Sequence, residues 1–178
     1  MTLHQTKYLK DYRPANFIVD SIDLKFDIFE DHTQVTSKMQ IHRNSQVADE
    51  TTSLVFNKGD YAITSVIADN MVLLPSEYQA DDSHFCLTKT PESFTLEITS
   101  ILNPETNTSL EGLYSSGKIL CTQCEAQGFR KITPYPDRPD VMAVFSCTIV
   151  ADKTQYPVLL SNGNKTDCGD LDNNRHYA

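Results

Sequence analysis

The sequence predicts an all-β domain of the sandwich or saddle-like type, built from short, mostly antiparallel strands. Three observations support this fold class. Apolar and polar residues alternate in many short runs, residues typical of turns separate those runs, and no segment of ten or more residues has the 3.6-residue period of a helix. Short strands with turns at this spacing are typical of sandwiches.

The first two strands are the clearest. Residues 22–28 alternate apolar side chains with Asp and Lys, and residues 35, 37, 39 and 41, which are apolar except for Ser37, alternate with polar residues at 36, 38, 40 and 42. Glu30-Asp31-His32 supplies a turn between them, so we expect a hairpin. The polar residues 1–16, which include Tyr12-Arg13-Pro14, are predicted to be a lead-in segment that lies across another surface.

Further strands and turns follow along the rest of the chain. Tight turns or hairpins are predicted at Ser115-Ser116-Gly117-Lys118 and at Asn162-Gly163. Asp137 is expected to cap a single helical turn, with Pro139 in its first positions. The predicted strands cover residues 53–56, 63–68, 71–74, a pair at 84–88 and 93–100, then 113–114, 119–120, 143–150 and 156–160, with a last strand near 175–177.

Length and charge restrict the possible functions. The 178 residues fit one domain with a substantial core. The formal charge is -9, so the chain lacks the excess of basic residues that neutralises the phosphates of a nucleic acid. Nucleic-acid binding is therefore not expected, and cationic ligands are favoured. No apolar run approaches the roughly 20 residues that span a membrane, and no secretory segment is visible, so we expect a cytoplasmic protein that is not in a membrane.

The five cysteines do not form a recognisable framework. They are odd in number and unevenly spaced, so we expect reduced thiols. Cys121-x-x-Cys124 could belong to a zinc knuckle or a redox pair. A structural zinc site needs four ligands, and a thioredoxin-like pair needs the start of a helix in a βαβ unit; neither pattern is present, so both interpretations are disfavoured.

The residues alone contain no credible catalytic centre. The five histidines are dispersed, none is followed by Glu, and no His-Glu-x-x-His, Gly-x-Ser-x-Gly or phosphate-binding glycine loop occurs. The polar loop from Thr122 to Gly128 is the best candidate for a binding site, with Gly128 allowing a sharp bend. Glu125 and the amides of Gln123 and Gln127 suit an ammonium ligand, although the same residues also suit a solvated surface loop.

A family resemblance rests on three segments that occur in order: LEGLYSSG, CTQCEAQGFRKITPYPDRPDV and ADKTQYPVLLSNGN. Together they resemble the amino-terminal domain of bacterial M1 (gluzincin) zinc aminopeptidases. The resemblance is strongest over residues 110–164 and covers nearly the whole chain. It implies a single amino-terminal β domain over residues 1–178 that packs on a thermolysin-like catalytic domain of the same chain, a domain that residues 1–178 do not include.

The resemblance also implies roles for two residues. Glu125 would bind the free α-amino group of a peptide substrate, and Gln123 would line the pocket for its first side chain. Zinc would belong to the full-length enzyme, with none bound by this fragment, which also lacks the family's Gly-x-Met-Glu-Asn segment. Alone the fragment is predicted to be inactive, and the chain is expected to continue past Ala178.

Two alternatives belong to other functional classes. A free-standing β-sandwich binding or interaction module predicts a polar surface all round, whereas a detached enzyme domain should expose an unusually large apolar patch. A thiol-based redox protein that uses Cys121 and Cys124 predicts a reactive thiol of low pKa.

Overall fold

The computed structural model describes residues 6, 8–47 and 53–178. Strands account for 47% of the chain and helix for 5%, which confirms the all-β fold class. Short 3-10 helices lie at Leu9–Asp11, Pro104–Thr106 and Phe129–Lys131. The strands are β1 (Phe17–Ile28), β2 (Thr33–Arg43), β3 (Leu54–Asn57), β4 (Ala62–Ala68), β5 (Met71–Val72), β6 (Tyr78–Ala80), β7 (His84–Leu87), β8 (Ser93–Leu102), β9 (Gly112–Ser116), β10 (Ile119–Gln123), β11 (Val144–Asp152), β12 (Gly169–Leu171) and β13 (Arg175–Tyr177).

The described strands form three sheets. The largest has eight strands in the order β12-β13-β11-β1-β2-β8-β4-β5, and a three-stranded sheet has the order β3-β7-β6. Strands β9 and β10 form a separate hairpin. Pairing is antiparallel except between β1 and β11, which run parallel, so the prediction of mostly antiparallel strands is confirmed.

The predicted β1–β2 hairpin is confirmed, with Ile22 opposite Met39. Its turn is closed by the Phe29 amide, which donates to the carbonyl oxygen of His32 at 2.9 Å. Strand β1 begins earlier than its clean alternation indicates, because the register shifts between Val19 and Ser21. Such a bulge changes which residues face inward and interrupts the two-residue period.

The hydrophobic core lies on one face of the eight-stranded sheet. Inward-facing Ile22, Met39 and Ile98 are fully buried there, together with Phe56 and Phe85 of the three-stranded sheet. Alternate residues on the other face are mainly polar and more exposed, as expected for an antiparallel sheet with one solvated side. The fold is therefore sandwich-like, with the two smaller sheets covering part of the inner face.

Several element predictions are wrong. Residues 156–160 form no strand, although their composition is typical of one. They pair with no neighbouring strand among the described residues, and Val158 and Leu160 are exposed. The hairpin near the end of the chain is not at Asn162-Gly163. It joins β12 to β13 through residues 172–174, where Asn173 and Asn174 adopt positive φ angles of 60° and 58°. The runs at 84–88 and 93–100 are not partners, because β7 and β8 lie in different sheets.

The segment after Asp137 also differs from its prediction. Residues 137–140 form no helical turn; instead the Val141 amide donates to the Arg138 carbonyl oxygen at 3.2 Å, which closes a simple turn around Pro139. Asp137 does not cap this turn and faces Arg130 instead.

The lead-in contacts the same turn. The Tyr12 hydroxyl donates to Asp140 at 2.8 Å, and Arg138 donates to the Arg13 carbonyl oxygen at 2.6 Å. Residues 1–5 and 7 of the predicted lead-in lie outside the described residues. Across the described part of the chain, no helix has the length and apolar character needed to cross a membrane.

Candidate binding loop

Strands β9 and β10 place Gln123 at the open end of a hairpin. Ser116 pairs with Ile119 around a two-residue turn, where Gly117 has a φ of +65°, so the predicted tight turn is confirmed. Gln123 is the last residue of β10 and lies opposite Gly112. Its side chain is exposed, and the chain turns immediately after it.

The turn after β10 brings Gln123 and Glu125 together. The side-chain amide of Gln123 donates to the main-chain oxygen of Glu125 at 3.0 Å, and the Gly128 amide donates to the Cys124 carbonyl oxygen at 2.8 Å. The Glu125–Ala126 peptide bond is cis. Both candidate side chains are exposed on this turn. We call residues 123–128 the binding loop.

Gly128 closes the binding loop through close contact. Its φ of -86° is open to any residue, so the expected bend does not depend on a positive φ. A Cβ at this position would lie 3.0 Å from the Cα of Cys124 and closer still to the carbonyl oxygen of Gln123. Glycine is needed because two stretches of main chain approach each other here.

The described basic residues that most closely follow the binding loop in the sequence pair with other carboxylates and form no ion pair with Glu125. Arg130 pairs with Asp137 at 3.0 Å, Lys131 with Glu111 at 2.7 Å and Arg138 with Asp140 at 2.6 Å. Among the described residues, Glu125 forms no ion pair within 4.0 Å. Its exposed carboxylate is therefore available to a positively charged group from outside the chain.

Arg130 fixes the far end of the binding loop. Its backbone amide and its Nε both donate to Oδ2 of Asp137, at 3.1 Å and 3.0 Å, and a terminal guanidinium nitrogen donates to the Asp137 carbonyl oxygen at 3.1 Å. The Arg130 carbonyl oxygen accepts from the Gly59 amide at 2.8 Å and from the Tyr61 hydroxyl at 3.1 Å. Sequence reasoning did not identify this anchor, because its partners lie in two other segments.

An aromatic cluster lies directly after the binding loop. The ring of Phe129 packs edge-on against Tyr135 and Phe145, with centroid distances of 5.0 Å and 5.6 Å. Burial, reinforced by the negative charge of Asp137, raises the pKa of Tyr135 to about 12. Phe145 is 49% exposed and follows Met142 and Val144, which are 84% and 75% exposed. We call Met142, Val144 and Phe145 the β11 apolar surface.

The cysteines near the loop lack the properties of a redox pair. All five cysteines are free thiols, including Cys121 and Cys124. Burial, and then the negative charge of Asp137, raises the pKa of the Cys124 thiol, which disfavours the reactive thiolate. Within the described residues, no three His, Cys, Asp or Glu side chains come together as metal ligands.

Comparison with known proteins identifies relatives of the whole chain. Residues 14–178 match the family model of the peptidase M1 N-terminal domain. The chain is 43% identical to aminopeptidase N of Escherichia coli over 98% of its length and 42% identical to aminopeptidase N of Haemophilus influenzae over 99%. It spans 19% and 20% of the lengths of these curated relatives.

Solved structures have the same fold. The crystal structure of Legionella pneumophila aminopeptidase A in complex with aspartic acid matches 96% of the chain, with a TM-score of 0.91 and 29% identity, over 20% of its own length. An M1 zinc metallopeptidase mutant from Deinococcus radiodurans, bound to a Tyr-Ser-Ala substrate, matches 91% of the chain and 38% of its own, with a TM-score of 0.72. At 14% identity the second match supports the fold alone.

Proposed function

Because the chain belongs to the peptidase M1 N-terminal domain family, we propose that it is the amino-terminal domain of a zinc-dependent aminopeptidase. In this proposal the full-length protein removes amino-terminal residues from peptides. This chain contributes contacts to the substrate and supplies neither the zinc ligands nor the catalytic groups. The identities of 43% and 42% to two bacterial aminopeptidases N support the activity.

The observation that carries the proposal is the unpaired carboxylate of Glu125 on an exposed turn. An ammonium group about 4 Å from a carboxylate gains roughly 4 kcal/mol at an effective dielectric constant near 20, before desolvation is subtracted. Hydrogen bonds to charged groups contribute about 1.5–3 kcal/mol net. We therefore propose that Glu125 pairs with the protonated α-amino group of a peptide.

Gln123 suits a second contact on the same substrate. Its amide nitrogen is held by the main-chain oxygen of Glu125, so the orientation of the side chain is tied to that of the loop. Its amide oxygen has no partner among the described residues and remains free to accept a hydrogen bond. We propose that Gln123 lines the pocket for the first side chain of the substrate.

Selectivity for amino termini follows from the charge of Glu125. An internal peptide nitrogen carries no positive charge, so a peptide bound away from its terminus would leave the carboxylate desolvated and unpaired. Zinc, which we assign to the rest of the full-length protein, would supply a Lewis acid and an activated water. The described residues of this chain contribute binding and orientation.

The β11 apolar surface supports a partner domain. Phe145 pairs in register with the buried Ile22, yet it is half exposed and continuous with Phe129 beside the binding loop. Exposed apolar side chains, which Met142 and Val144 add next to Phe145 in the sequence, are typical of interfaces. We propose that the catalytic domain of the same polypeptide covers this surface, which would bring the binding loop to the edge of the active-site cleft.

The test uses the full-length protein and an aminoacyl anilide substrate. Glu125→Gln preserves shape and removes charge, and we expect it to raise KM roughly 10- to 100-fold, the equivalent of about 1.5–3 kcal/mol. Glu30→Gln is a matched control, because Glu30 is exposed in the β1–β2 turn. An unchanged KM for Glu125→Gln would refute the role of Glu125.

A second test addresses the free-standing binding module. Reading the gene past the codon for Ala178 should reveal a His-Glu-x-x-His motif and a later Glu ligand, the pattern of gluzincin metallopeptidases. A stop codon at that point would remove the catalytic partner from the same polypeptide. The binding module would then be the better explanation of the exposed Glu125.

A further inference from the structure

The binding loop is exposed, so its position depends on what holds its ends. At its start, Gln123 is fixed by the β9–β10 pairing. At its end, the Gly128 amide bonds to Cys124, and the 3-10 helix Phe129–Lys131 follows without a side-chain cap of its own. Something outside the loop must therefore satisfy the first amides of that helix.

Asp137 fills this role. Its Oδ2 accepts from both the backbone amide and the Nε of Arg130, and its main-chain oxygen accepts from the same guanidinium group. The Asp137 side chain is 11% exposed and that of Arg130 is 24% exposed, so solvent screens this pair far less than a surface pair. Three hydrogen bonds between two residues fix Arg130 in both position and orientation.

We propose that Asp137 is a positioning residue, whose ion pair with Arg130 anchors the binding loop and holds Glu125 where it binds the substrate's amino group. This inference rests on the proposed function of Glu125. Asp137 itself is buried and lies outside the binding loop, so it acts on the loop only through Arg130.

The chain offers a matched control for this ion pair. Asp140 forms a similar pair with Arg138 at 2.6 Å in the turn that follows, and it also accepts from Tyr12. None of its hydrogen bonds involves Arg130 or the binding loop. Asp137→Asn and Asp140→Asn make the same chemical change three residues apart, and only the first removes charge from the anchor.

The experiment is a double-mutant cycle in the full-length protein, with KM and kcat measured for an aminoacyl anilide. We expect Asp137→Asn to raise KM about tenfold in the wild-type background, within the range found for residues of one hydrogen-bond network. In the Glu125→Gln background the same change should alter KM by less than about twofold, because the group being positioned is already lost. Asp140→Asn should change KM in neither background.

The outcomes separate this proposal from the proposed function. If Glu125→Gln leaves KM unchanged, both the role of Glu125 and the positioning role of Asp137 are refuted. If Glu125→Gln raises KM but Asp137→Asn does not, or raises it by the same factor in both backgrounds, only the positioning role is overturned. Where Asp137→Asn does not give folded protein, Arg130→Gln removes the same charge pair, keeps the main-chain hydrogen bond to Asp137, and must show the same dependence on Glu125.

Hydrogen exchange gives a readout that is independent of activity. We expect the amides of Gly128 and Arg130, which donate to Cys124 and Asp137, to exchange at least about fivefold faster in Asp137→Asn than in Asp140→Asn, with the amides of β2 unchanged in both. Equal acceleration in the loop and in β2 would make Asp137 a residue of global stability and would overturn the positioning role.

Discussion

Substituting Gly128 tests whether close contact of the main chain shapes the binding loop. In Gly128→Ala the new Cβ would meet the Cα of Cys124 at 3.0 Å and the carbonyl oxygen of Gln123 at a shorter distance. Both neighbours are main-chain atoms, so neither can rotate away as a side chain does. The φ of -86° suits alanine, which leaves steric overlap as the main cost.

The magnitude follows from two opposing effects. Overpacking of this kind costs about 1–3 kcal/mol. Replacing glycine by alanine also restricts the unfolded chain, which stabilises the folded state by about 0.4–1 kcal/mol. We expect a net loss of about 1–2 kcal/mol in the free energy of unfolding, and a loss of that size lowers the melting temperature of a chain of this length by about 2–8 °C.

The assay is thermal unfolding followed by circular dichroism, with two glycine controls. Gly163→Ala places its Cβ in open space, so its melting temperature should equal or slightly exceed that of the wild type. Gly117→Ala also meets no atom within 4 Å but has a φ of +65°, so it isolates the backbone cost of roughly 1 kcal/mol. If Gly128→Ala is as stable as Gly163→Ala, the main chain of the loop shifts to make room for the Cβ at no cost, and close contact does not constrain the loop.

Three further predictions concern charge, reactivity and packing. The hydrogen bond from Arg138 lowers the pKa of Asp140 in the folded chain. The ionised Asp140 therefore stabilises the fold fully above its unfolded pKa of about 3.9, and this contribution is lost as the pH falls through the lower folded pKa. Asp140→Asn should accordingly flatten the acid limb of a plot of stability against pH. Burial raises the pKa of Cys124, so at pH 8 iodoacetamide should modify it more slowly than exposed Cys168, and the reverse order would favour a redox role. Met142→Ser should leave the isolated chain nearly as stable as the wild type, because Met142 is 84% exposed, but should weaken activity of the full-length protein; a loss of folding in the isolated chain would contradict an interface role.

The fold could be predicted where periodicity is local and long. Strands β1 and β2 each have more than ten residues, and their alternation identified both strands and the hairpin between them. The three-residue strands β6 and β12 are too short for any period to be visible. The parallel pairing of β1 with β11 joins residues more than 120 positions apart, which no local pattern reports.

The residues of the candidate site could be predicted from the sequence, but the ion pair that anchors the loop could not. Gln123 and Glu125 were chosen by residue type and by family resemblance, and the structure brings them together on one turn. Their roles in substrate binding stay predictions. Asp137 was assigned to a cap of the following turn because Asp before Pro suits such a cap. Its real partner, Arg130, precedes it, and the distinction depends on three-dimensional packing rather than on sequence order.

Arg130 shows why the geometry of the loop is a property of the whole domain. Its carbonyl oxygen accepts hydrogen bonds from Gly59 and Tyr61, which belong to the connection between β3 and β4, about seventy residues away. A Cβ at Gly59 would lie 2.9 Å from the Cα of Lys131, so the two segments touch through their main chains. Any exposed Glu carries the charge that attracts an ammonium group. Holding that charge at a fixed place requires contacts from distant segments, and for this reason we expect substitutions at Gly59 to alter KM without touching the substrate.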